Sequence, residues 1–240
     1  MTRDHDLHPK TRRLVRAVGG TVIAAGLLAA GLAVDHGPAD AARRTKSAVI
    51  AETANEAVAA LDQWTHTQNP VDYILFIQHR DQAAEMTERD VELPQGALSS
   101  AWSSVSITKQ HTILSAVSQL GVPYRSLASD PGVGFDCSGL TSWAFGEAGV
   151  DIPRVSRDQI NDAERVEQDS AEAGDLVYYP GHVSIYLGAE TMVHAPNSGS
   201  HVEIGPLPDR SLRFGDAEAV HRAEAAAHLL LVDRALAVSE

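Results

Sequence analysis

The sequence predicts an α+β fold, with helices packed on an antiparallel sheet. Helical patterning fills the chain up to about Gly149, and short runs rich in β-branched and aromatic residues, separated by turn residues, take over from about Gly174. A block of helices followed by a block of antiparallel strands is the α+β order. The 240 residues, 44% hydrophobic and 21% charged, suffice for one large domain or two small ones around an ordinary core.

The first 44 residues are read as a cytoplasmic tail and a signal or transmembrane segment. Arg3, Lys10, Arg12, Arg13 and Arg16 precede an uncharged run from Ala17 to Val34 in which only Thr21 is polar. That length falls between a signal-peptide core and a short membrane span. It favours an uncleaved anchor, while Ala39-Asp40-Ala41 offers a late cleavage site. In either case the basic flank places Met1 to Arg16 in the cytoplasm and the rest outside, secreted or anchored in the cell envelope.

Residues 45–106 are expected to be a helical linker or stalk. From Arg43 to about Gln68 the chain lacks Gly and Pro, and Val49, Ala57, Val58 and Leu61 are spaced for one helical face. Asn69-Pro70 ends that helix, because the residue before a proline avoids helical geometry. A second helix, with Ile74, Leu75, Ile77 and Met86, runs from about Val71 to Arg89, and Leu93-Pro94-Gln95-Gly96 reads as a turn. Packing or spacing is the role predicted here.

The chemistry falls in residues 107–240. Residues 107–120 form an amphipathic helix stopped by Gly121 and Pro123, and a second helix opens near Cys137 and closes at Gly149. GDLVYYPGHVSIYLGAETMVHAPN gives three short strands with turns at Pro180-Gly181 and Gly188-Ala189-Glu190. HVEIGPLPDRSLRF can add further strands, and Glu218 to Ala237 reads as a final helix.

Charge and cysteine count narrow the function. The formal charge of −13 argues against nucleic acid as a partner. One cysteine rules out an internal disulfide, no CxxC pair exists to hold structural zinc, and no cofactor or metal is expected. Cys137 is then an inert buried thiol, an intermolecular link or a nucleophile. It stands at the first turn of a helix, where unpaired N–H groups and the helix dipole favour a thiolate. A thiol nucleophile needs a base, and His182 and His194 bracket the expected hairpin. If its loop is Gly188 to Glu190, Leu187 pairs with Thr191, Ser184 with His194 and His182 with Pro196. The two histidines are then diagonal neighbours on one face, roughly 7 to 8 Å apart at the backbone. A shift of one residue would put them on opposite faces. Val183, Ile185 and Leu187 alternate against them and face the core.

Tyr124, FDCSGLTSWAFGEAGVDIPRVSRDQ, AGDLVYYPGHVSIYLG and MVHAPNSG, in that order, resemble the NlpC-type cell-wall peptidases, papain-like cysteine peptidases of bacterial peptidoglycan. The resemblance covers about Lys109 to Leu207. It implies a papain-like fold, Cys137 as nucleophile, His182 as general base and His194 as the group orienting it. It places Tyr124 near the oxyanion site, Asp136 and Ser138 along the substrate pocket, and Arg154, Ser156 and Gln159 beside the cleft. The implied activity is that of an endopeptidase cutting peptidoglycan stem peptides between D-glutamate and a diamino acid. An amidase cutting between glycan and stem peptide shares the fold and the Cys-then-His order, and a non-catalytic wall-binding module is the alternative from another class. The sequence departs from the family after Pro123-Tyr124, where RSLASDPGVG replaces an aromatic residue and a Gly pair in the loop that shapes the substrate side of the cleft.

Overall fold

A computed structural model describes residues 38–223. The basic tail, the apolar run from Ala17 to Val34 and the part of the final helix expected beyond residue 223 lie outside the described residues. No described helix is long and apolar enough to cross a membrane.

Two helices, α1 (Pro38–Thr67) and α2 (Pro70–Asp90), fold against each other across a two-residue turn. Asn69 caps α2 by accepting from the Val71 N–H at 3.0 Å, and Pro70 occupies the first turn, where its missing N–H costs nothing. The buried stripe of α1 is Ile50, Ala54, Ala57 and Leu61, a helical repeat one position away from the expected Val49, which is exposed. On α2, Ile74 and Leu75 are exposed, and the buried face holds Phe76, Arg80, Ala83, Ala84, Thr87 and Glu88. Its two charged members are satisfied at long range: Arg80 donates to Gln110 Oε1 at 2.8 Å, and Glu88 accepts from the N–H groups of Gly96, Leu98 and Ser99.

Those three bonds cap α3 (Ala97–Ser104), a helix the sequence did not announce. Its cap comes from the preceding helix, so no local capping signal precedes it. Trp102 of α3 is fully buried and donates its indole N–H to Leu187 O at 2.9 Å. Through Phe76, Leu98 and Trp102, the region 45–106 shares one hydrophobic core with α4 (Ile107–Val117) and the sheet.

The rest follows the expected order: β1 (Ser129–Asp130), β2 (Gly134–Phe135), α5 (Cys137–Glu147), α6 (Ser156–Asp162), β3 (Glu164–Val166), β4 (Leu176–Tyr179), β5 (His182–Gly188), β6 (Thr191–His194), β7 (Glu203–Pro206) and β8 (Arg213–Asp216). A helix opens at residue 217. The main sheet is antiparallel throughout, in the order β3-β8-β4-β5-β6-β7. This is the α+β architecture read from the sequence, with added elements at α6 and β1 to β3, and with β7 and β8 as the further strands drawn from HVEIGPLPDRSLRF. On β5, Val183, Ile185 and Leu187 are fully buried in the main core. The alternate face is covered too, because Tyr186 packs with Val177 and Phe214 in a second cluster.

Lys109 pins α4 to the sheet. Its buried ammonium lies 2.8 Å from Asp175 and 3.2 Å from Asp216. Burial opposes its charge, but the two carboxylates outweigh burial and hold its pKa above the ordinary lysine range. Gly174, at φ +95°, leaves room for this approach, since a Cβ there would meet Lys109 Cβ at 2.7 Å.

Candidate active site

Cys137 is the first residue of α5, reached directly from β2 through Asp136. Asp136 is the N-cap, its Oδ1 accepting from the Gly139 N–H at 2.7 Å, so the helix start is fixed where the thiol stands. Gly139 is required by contact: a Cβ at this position would collide with the carbonyl oxygen of Ala128, which itself accepts from Asp136 N at 3.0 Å. The Asp-Cys-Ser-Gly order thus seats the start of α5 against the 125–133 loop. Cys137 is free and half-buried.

A charged wall surrounds this helix start. Arg154 reaches Asp136 Oδ2 at 2.8 Å, donates to Ser138 Oγ at 2.8 Å and donates to Ala128 O at 3.2 Å. Asp136 and Ser138 are both buried, and Arg154 is the exposed member of the group. Gln159 locks α6 to α5, accepting from Thr141 Oγ1 at 2.7 Å and donating to Ser138 O at 3.0 Å. Ser156 opens α6 beside this group. Tyr124 is held by a bridge to Phe135 and by its N–H donating to Ser200 O at 2.9 Å. Burial, a Cys137 thiolate if formed, and Asp136 push its hydroxyl pKa up, while Arg154 pulls it down.

The histidines meet as the register predicts. Ile185 pairs with Val193 and Tyr186 with Met192, the frame expected for a Gly188 to Glu190 loop. One detail differs, because a bulge next to the turn pairs Gly188 rather than Leu187 with Thr191. His182 Nε2 lies 3.0 Å from His194 Nδ1, with the ring planes at 85°. Both rings are buried. Burial, reinforced by His194, lowers the His182 pKa to about 4, and burial lowers that of His194 to about 4, so both are neutral at neutral pH. Because Nε2 of His182 is taken by His194, Nδ1 is the nitrogen left for a second partner.

Residues 121–213 match the model of the NlpC/P60 family. They form an NlpC/P60 domain. Over 114 residues the chain is 42% identical to the peptidoglycan endopeptidase RipB of Mycobacterium tuberculosis (strain H37Rv), covering 41% of this chain and 47% of that protein. It is 37% identical over 106 residues to the bifunctional muramidase/DL-endopeptidase CwlT of Bacillus subtilis (strain 168), covering 40% of this chain and 32% of that protein. The chain thus spans less than half the length of these two curated relatives. A crystal structure of the P60 domain from a Mycobacterium avium subspecies paratuberculosis antigen is 34% identical, with 46% of this chain and 94% of that one covered at a TM-score of 0.42.

Within the NlpC/P60 domain, two neighbours of the histidine pair escaped the sequence reading. Tyr179, directly opposite His182 in the β4–β5 hairpin, stacks on its ring at 5.0 Å between centroids, and Arg210 lies over the Tyr179 ring at 4.7 Å. Burial raises the Tyr179 pKa, Arg210 lowers it and a Cys137 thiolate would raise it. The two-residue turn at Pro180-Gly181 was the available signal, because it makes residues 179 and 182 partners. Glu203 of β7 is paired with His194 and lies 3.8 Å from its Nε2. Among the described residues, no group of three or more His, Cys, Asp or Glu side chains is arranged to hold a metal ion.

Proposed function

We propose that the chain is a cysteine endopeptidase that hydrolyses peptidoglycan stem peptides, with Cys137 as nucleophile, His182 as general base and His194 as the group that orients it. The observation that carries this reading is the His182 Nε2 to His194 Nδ1 bond at 3.0 Å. It ties up one nitrogen of a neutral imidazole and leaves Nδ1 for the thiol, with Tyr179 stacked on the His182 ring. Two relatives over the same region carry endopeptidase names, RipB and CwlT, which supports the substrate class.

In this mechanism His182 Nδ1 takes the thiol proton and the sulfur attacks the amide carbonyl carbon. The Cys137 backbone N–H and the Tyr124 hydroxyl hold the developing oxyanion. His182 returns its proton to the departing amine, leaving a thioester. It then deprotonates the water that attacks the thioester, and the carboxylic acid and the thiol are released. His194 holds the ring tilt of His182 throughout. Asp136 and Ser138, both engaged by Arg154, shape the pocket through that arginine. The bond proposed is that between D-glutamate and the diamino acid. The substrate lies outside the membrane, which agrees with the basic flank before Ala17 to Val34 and with an exported domain, anchored by that run if it is retained.

Mass spectrometry of fragments released from defined muropeptides tests the bond. Cleavage after D-glutamate is expected, whereas release of the intact stem peptide from the glycan would replace this reading with an amidase.

A further inference from the structure

The bond between the two histidines holds one proton, and its position decides whether His182 can act as a base. If the proton sits on His182 Nε2, His182 Nδ1 is bare and can accept from Cys137, His194 Nδ1 is the acceptor, and the second proton of the pair sits on His194 Nε2. If it sits on His194 Nδ1 instead, His194 Nε2 is bare and His182 carries its proton on Nδ1, facing the thiol as a donor. Both arrangements satisfy the 3.0 Å bond. The two rings alone do not choose between them.

Glu203 supplies the choice. β6 and β7 pair His194 directly with Glu203, and one carboxylate oxygen lies 3.8 Å from His194 Nε2. The other lies 4.0 Å from Nε2 of His201. An ionised carboxylate only accepts, so it attracts an N–H at His194 Nε2 and repels a lone pair there. At 3.8 Å the effect is electrostatic rather than a hydrogen bond, and the buried imidazole makes it stronger than it would be in water. The same negative charge favours the imidazolium that His182 becomes when it takes the thiol proton. Other charged groups near the carboxylate are His201, Arg43 of α1 and Asp90 of α2, which line one recess with it.

We propose that Glu203 is a positioning residue of the hydrolytic site, selecting through His194 the tautomer in which His182 presents a bare Nδ1 to Cys137. This rests on the reading of Cys137 as nucleophile and His182 as base. It is tested in the full chain with Glu203→Gln and Glu203→Asp. Three quantities are read: ¹⁵N imidazole shifts of His182 and His194, the rate of iodoacetamide alkylation of Cys137 from pH 4 to 9, and kcat and KM on a muropeptide. Wild type should show both rings protonated at Nε2. Glu203→Gln should move His194 away from that tautomer, slow alkylation near pH 7 about tenfold, shift the alkylation midpoint to higher pH, and lower kcat with KM unchanged. Glu203→Asp should restore most of each. Glu203 is partly exposed at the sheet surface, and an unchanged melting temperature would show that Glu203→Gln still folds. A folded Glu203→Gln protein with wild-type tautomers and a wild-type alkylation profile overturns the inference. If wild type cuts no muropeptide while alkylation still depends on Glu203, the substrate reading falls and the assignment of Glu203 stands.

Discussion

The histidines of β5 and β6 form a buried pair with both rings held neutral, whereas Asp136 and Arg154 at the start of α5 form an ion pair at 2.8 Å that reaches solvent through the guanidinium. The first environment is shielded from solvent, which suits moving a proton. The second is polar and fixed by several bonds, which suits holding a helix start and meeting a charged peptide. The contrast predicts that substitutions in the histidine pair act on the chemical step, while substitutions in the ion pair act on binding.

The largest separation is expected within the pair. His182→Gln should lower kcat by about 10² to 10⁴, the range for a lost general base, and His194→Ala by a smaller factor, about tenfold to a hundredfold, because it removes orientation only. Equal losses from both, in steady-state assays, would dissolve the distinction between base and orienting group. Arg154→Ala should come next, raising KM about tenfold with a smaller change in kcat, since it frees Asp136 and Ser138 while the proton path stays intact. A fall in kcat alone would place Arg154 on the chemical side of the comparison.

A further prediction concerns stability rather than catalysis. Both histidines titrate near 4 when folded, below the 6.5 of the unfolded ring, so the unfolded chain binds more protons as the pH falls. Their contribution is complete above pH 6.5 and is lost on acidification through 4. Melting temperatures of wild type should therefore fall across that window, and His182→Gln should flatten the fall.

The difference between the two environments also explains what the sequence could show. The histidine pair was legible because strand alternation and a short hairpin loop fix which side chains share a face, and a bulge at Gly188 did not disturb residues farther along β5. The start of α5 was legible from the Gly-rich approach to Asp136. The resemblance placed Arg154 beside the cleft, but its ion pair with Asp136 was not legible, because its partners Ser138 and Asp136 lie 16 and 18 residues away and meet it only through tertiary packing. Glu203 and Arg210 come from a stretch with two prolines whose pairing the sequence left open. The helical region was legible as helices, but its buried faces only in part: Ala57 and Leu61 are buried as expected, whereas Val49, Ile74 and Leu75 are exposed. Arg80 and Glu88 are buried on α2 because residues of α3 and α4 satisfy them, and no periodicity of α2 alone records that.

The most direct test of the account is digestion of purified peptidoglycan by the full chain beside Cys137→Ala, with circular dichroism confirming that both are folded. The account predicts stem-peptide fragments from wild type and a rate lower by at least about 10³ for Cys137→Ala, in line with the loss of a nucleophile. Equal release by the two proteins would contradict it.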